Sequence, residues 1–187
     1  MSSKYQEKFI KTILDKSQSN IWEDAVNEWQ IIDCEEDEFR ESSCICGKED
    51  LYYIFTIENI YNHNIISPIG SSCIRKFNRM ELNDQTNISI NLFKLYHAVE
   101  NDEYISLDNE YFSRKILHYL YKDGAFDCEF NGFNGEVDYH FMLDMFNKKY
   151  KNEITIRQRK KINAIILNNI KPYLQKKLND KILRERR

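Results

Sequence analysis

The chain has 187 residues, 42% of them hydrophobic and 13% aromatic, which is enough apolar side chain to build a core and argues against an intrinsically disordered protein. The net charge of −3 hides a split: residues 148–187 carry 14 Lys and Arg against 3 Asp and Glu, while residues 1–147 carry 13 against 27. Nowhere do about 18 apolar residues run together, and the charged N-terminus lacks the apolar stretch of a secretion signal, so a cytoplasmic protein with reduced thiols and no membrane span is expected.

Taken in order, residues 3–16 read as a helix with a Ser3–Gln6 capping box, its apolar face made by Tyr5, Phe9, Ile10, Ile13 and Leu14. After a polar break at 17–20, Asn20 is the expected cap of a second helix. Trp22, Ala25, Val26 and Trp29 fall on one helical stripe there, as core anchors. Gln30–Cys34 reads as a short strand, and Glu35–Glu38 as a solvated acidic loop. This loop lies in the most acidic stretch of the chain, Trp22–Asp50, with 11 acids against 2 bases. Leu51–Ile57 and Asn64–Ile69 are two strands of a hairpin joined by an Asn-rich turn. Ser72 is the expected cap of a short helix, Cys73–Arg79.

Beyond a polar linker at Asn83–Asn87 the chain reads as helices: Ile88–Glu100, Asn109–Lys122 capped by Asp108 and stopped by Gly124, and Glu136–Lys149. A last helix opens with a Thr155–Gln158 capping box, is ended or kinked by Pro172, and is followed by an amphipathic stretch to Arg187. An aromatic loop, Phe126–Gly135, holds Cys128, read as a buried free thiol. The expected class is α+β and mostly helical, with a small zinc-stapled β-hairpin subdomain in residues 1–82 and a C-terminal helical bundle with a basic end in residues 83–187.

Four of the five cysteines fall between residues 34 and 73. Cys44-Ile-Cys46-Gly47 precedes the hairpin, and Gly70-Ser-Ser-Cys73 follows it. A hairpin returns its ends to one place, so Cys73 should meet Cys44 and Cys46. Three thiols gathered this way suit zinc, which takes four N or S donors in a tetrahedron. Cys34 is the expected fourth ligand, with His63 in the hairpin turn as the rival. The competing reading makes these cysteines small buried hydrophobes. A closed four-ligand site is structural and contributes on the order of 10 kcal/mol to local folding.

No phosphate loop, dinucleotide fingerprint or nucleophile elbow is present, and no helix carries His-Glu-x-x-His. His140 near Asp138 and Asp144 is read as surface, so no enzyme is expected. The chain is similar to small phage and prophage proteins of low-GC Gram-positive bacteria. The likeness rests on Trp22 with Glu28-Trp29, Cys44-x-Cys46-Gly47, and Pro68-Ile-Gly-Ser-Ser-Cys73-Ile74 with Phe77. It continues in Gly124-Ala-Phe126, Asp138-Tyr139 with Asp144-Met-Phe-Asn-Lys148, and the ending Gln158, Lys161-Ile162, Ile170 and Pro172-Tyr-Leu174. Among such proteins are zinc-containing anti-CRISPR inhibitors of Cas9. The resemblance implies a non-catalytic protein that binds the Cas9 recognition lobe and blocks loading of target DNA. The alternative is a zinc-containing nucleic-acid-binding protein that uses the basic C-terminal region. The oligomeric state, monomer or homodimer, stays open.

Overall fold

The computed structural model describes residues 4–177. It is α+β and mostly helical, with one three-stranded antiparallel sheet among the described residues. The chain divides into two compact units between Ser89 and Ile90, and that division falls inside a helix.

The first unit opens with α1 (Lys4–Lys16), whose Phe9 and Ile13 are fully buried. The next helix, α2 (Trp22–Ala25), is a single turn that tightens into a 3-10 turn at Val26–Glu28. Ile21, not Asn20, occupies the N-cap position. Trp29 leaves the helical path altogether and begins β1 (Trp29–Glu36). It is still a core anchor: its ring is buried and its Nε1–H donates to Ser17 Oγ at 2.9 Å. Phe9 packs edge-to-face on both Trp22 and Phe77, which are tilted to each other, with all three centroids 5.6–6.0 Å apart.

Strands β2 (Tyr53–Asn59) and β3 (Ile65–Ile69) are the predicted hairpin. Sheet order is β1-β2-β3, so β2 is central and β1 and β3 are the outer strands. Ile54 and Phe55, on opposite faces of β2, are both buried, as a strand covered on two sides requires. β1 carries one extra residue at Ile32, a bulge between Ile31 and Asp33. Just past the bulge, Asp33 Oδ1 accepts the N–H of Cys34 at 2.8 Å. Glu35 and Glu36 are strand residues opposite Ile54 and Tyr53, so the expected acidic loop is half strand.

The Asn-rich turn locks onto α1. Asn62 and Asn64 donate to the Lys16 carbonyl at 3.0 and 2.8 Å, satisfying the end of that helix. After β3 comes α3 (Ser71–Ile74), then α4 (Met80–Glu100). Asn83–Asn87 is therefore helix, not linker. Leu82 and Thr86, four apart, are both buried, and the Thr86 hydroxyl donates to the Leu82 carbonyl at 2.7 Å.

In the second unit α5 (Arg114–Lys122) is capped by Ser113, whose Oγ accepts from Ile116 N–H at 3.2 Å. Asp108 instead closes a turn upstream, accepting from Glu110 N–H. Gly124, at φ +81°, ends the helix as predicted. α6 (Glu136–Asn147) stacks Tyr139 on Tyr121 of α5, with ring centroids 4.5 Å apart. α7 (Ile156–Ile165) starts with the Thr155–Gln158 capping box, both of its hydrogen bonds made. Pro172 does not end this helix, which runs on through residue 177. The backbone widens into a π-helical stretch at Ile166–Ile170, around Asn168, whose carbonyl the proline ring would otherwise meet. Leu178, Ile182 and the Arg184–Arg187 end lie outside the described residues.

Candidate metal centre

Cys44 and Cys46 sit on a tight turn. Gly47 N–H donates to the Cys44 carbonyl at 2.7 Å, and Cys44 N–H to the Lys48 carbonyl at 2.8 Å. Gly47, at φ +95°, takes a conformation that side chains resist. The turn is held against β3 by Ile45 N–H, which donates to the Pro68 carbonyl at 3.0 Å. Gly70 then ends β3 at the N-cap of α3, with no side-chain cap, and Ser72 lies inside the helix rather than capping it. A Cβ on Gly70 would stand 2.8 Å from Leu51 Cδ2, so a side chain there would make that leucine tip shift.

These contacts bring Cys44, Cys46 and Cys73 together. Their sulfurs all lie within 4.8 Å of one another, and each residue is buried. Four thiolates about 2.3 Å from one zinc would have sulfurs about 3.8 Å apart, so the three thiols can hold a metal ion with little adjustment. Among the described residues, no further His, Cys, Asp or Glu completes this set.

The chemistry of the donors agrees. Cys44 is drawn down to about 5, first by a hydrogen bond with the Cys73 side chain, against burial, and further by the N–H groups of Cys46 and Gly70. Gly70 N–H donates to the Cys44 sulfur at 3.4 Å. The same hydrogen bond with Cys44, together with burial, pushes Cys73 up. The pair thus shares a thiolate and a thiol proton, and a bound cation would displace that proton. Lys76 Nζ stands 3.6 Å from Cys73 Sγ, a cation that spacing rules did not single out.

The two expected fourth ligands lie elsewhere. Cys34 pairs with Phe55, which pairs with Ile69, the residue before Gly70. Two interstrand steps of about 4.8 Å therefore separate Cys34 from the end of β3, close to 10 Å in all. The central strand β2 stands between them. His63 occupies the hairpin turn at the opposite end of β3; its Nδ1 is 2.9 Å from Glu58 Oε1 and its side chain is largely exposed. Cys128 is half-buried rather than buried, beside the 3-10 turn Glu129–Asn131. His140 is exposed on α6, 3.9 Å from Glu136.

No family model, curated protein or solved structure matches this chain. The centre therefore rests on its own geometry: three buried thiols on one turn and one short helix. Among the described residues no helix is long and apolar enough to cross a membrane.

Proposed function

We propose that this protein is a non-catalytic inhibitor that docks its acidic N-terminal unit on a nucleic-acid-handling protein. On the resemblance stated above, that partner is Cas9, bound at its recognition lobe so that target DNA cannot load. Zinc at Cys44, Cys46 and Cys73 holds the docking unit in shape.

The observation that carries the reading is the surface of β1 and the turn after it. Asp33, Glu35, Glu38 and Glu41 are exposed there, with Ile32 and Phe39 exposed among them, Phe39 at 84%. The turn is ordered: Asp37 accepts from Ser42 N–H at 2.8 Å, and Arg40 lies over the Tyr52 ring. An apolar anchor set in like charge on a fixed turn suits a basic, phosphate-binding face, by complementarity and by exclusion of water around the anchor.

Zinc-replete protein mixed with purified Cas9 and guide RNA is expected to co-elute on gel filtration and to reduce DNA loading. Metal analysis is expected to find about one zinc per chain. A chelator should remove both the zinc and the complex. Free elution of both proteins would sink the Cas9 reading, and a folded, metal-free sample would sink the zinc.

The second reading, nucleic-acid binding through the basic C-terminal half, draws on the exposed Arg157 and Lys160 of α7. Much of the nearby basic charge already has work in the fold. Lys151 donates to the Met145 and Phe146 carbonyls, Arg159 to those of Ile154 and Lys151, and Lys161 pairs with Asp138 at 3.0 Å. A gel shift at low salt that fades steeply as salt rises would favour this reading over the first.

A further inference from the structure

We infer that the metal keeps one coordination position for a donor that the three cysteines do not supply, and that a small thiolate takes it. The inference rests on the metal centre proposed above and replaces a closed site with an open one. Zinc held by three protein ligands completes its tetrahedron with an exchangeable group. All three cysteines line a single recess of about 160 Å³, so the direction that the sulfurs leave vacant has room for a group of a few atoms. Asp50 borders this recess, yet its carboxylate is not within 4.8 Å of all three sulfurs. Cys34 is two strand spacings away from the end of β3.

Charge selects the donor. A divalent ion with three thiolates carries one net negative charge, which by itself discourages a further anion. Lys48 lines the recess together with Asp50, and the Lys76 ammonium, in the neighbouring recess, lies 3.6 Å from Cys73 Sγ, so that cation offsets charge on the sulfurs themselves. A metal already bound by sulfur favours another soft donor. The incoming thiol gives its proton to solvent and its sulfur bonds to the metal in place of water. Nothing is oxidised or reduced.

The test uses the full chain loaded with Co²⁺ and kept reduced with a phosphine, then titrated with 2-mercaptoethanol while visible absorption is recorded. The expected result is a saturable rise in the sulfur-to-cobalt charge-transfer band with a shift of the d–d envelope. Cys34→Ser and Asp50→Asn should give the same starting spectrum and the same response. A spectrum indifferent to the thiol overturns the open position. So does either variant if it changes the starting spectrum, because that residue then closes the site. Failure of the chain to take up cobalt at all is a different failure, and it removes the metal centre itself.

Discussion

Glu28 is buried, and its carboxylate lies 2.6 Å from the Gln18 N–H, 2.7 Å from the Ser19 N–H and 2.6 Å from Asn59 Nδ2. One side chain thus ties the break after α1 and the hairpin turn to the 3-10 turn that carries it. Burial works to raise its pKa, but the Asn59 amide and the two backbone donors outweigh burial and hold it below the ordinary 4.5. Folding therefore depresses this pKa, and the unfolded chain takes up the proton first as pH falls. The stabilisation is full above about pH 4.5 and is lost as pH drops through the lower folded value. Glu28→Gln sets an amide N–H₂ against donors and should cost about 1–3 kcal/mol at neutral pH. Urea melts at several pH values are the check: the gap between wild type and variant should narrow below pH 4.5. A gap that stays constant with pH would assign the loss to packing.

Elements specified by neighbouring residues were legible in the sequence. The amphipathic face of α1, the hairpin, the Thr155–Gln158 box and the stop at Gly124 each need only a short window. Three readings failed because the deciding contact is distant. Trp29 fits a helical stripe by spacing, yet its backbone pairs with Asn59, thirty positions on. Asn83–Asn87 is a polar run of weak helix formers, and burial of Leu82 and Thr86 overrides that propensity. The convergence of Cys44, Cys46 and Cys73 follows from the hairpin alone, whereas the place of Cys34 depends on strand order, which no local pattern encodes. A tight approach in the second unit was equally hidden. At Gly135 an added Cβ would stand 2.4 Å from Phe126 Cβ and 2.7 Å from its backbone carbon. Backbone cannot step aside as a side-chain tip can. Gly135→Ala should therefore destabilise the start of α6 by about 1–3 kcal/mol. Thermal melting would register this as a lower midpoint; an unchanged midpoint would show that Phe126 yields.

Across the whole molecule the opposed charges of residues 1–147 and 148–187 are the broadest signal, and the fold sorts them unequally. Acids of β1 and its turn face solvent, while Lys151, Arg159 and Lys161 are engaged within their own unit. Association steered by the acidic edge should slow as ionic strength rises, with dissociation changing less. On the proposed docking on Cas9, replacing Glu35 and Glu38 by Gln should lower the on-rate severalfold, whereas Arg157→Gln with Lys160→Gln should leave it unchanged. Surface plasmon resonance at two salt concentrations distinguishes these outcomes, and the reverse pattern would shift the contact to the basic half. The two outer strands carry a consequence of another kind. On β1 the ladder is broken by Ile32, and the N–H of Cys34 is already taken by Asp33. On β3, Pro68 has no N–H to offer, and its carbonyl is occupied by Ile45. Neither margin presents the unbroken row of donors and acceptors that a foreign chain needs to add itself as a further strand. A sheet this small and this rich in isoleucine thereby offers a poor template for fibril growth on either margin.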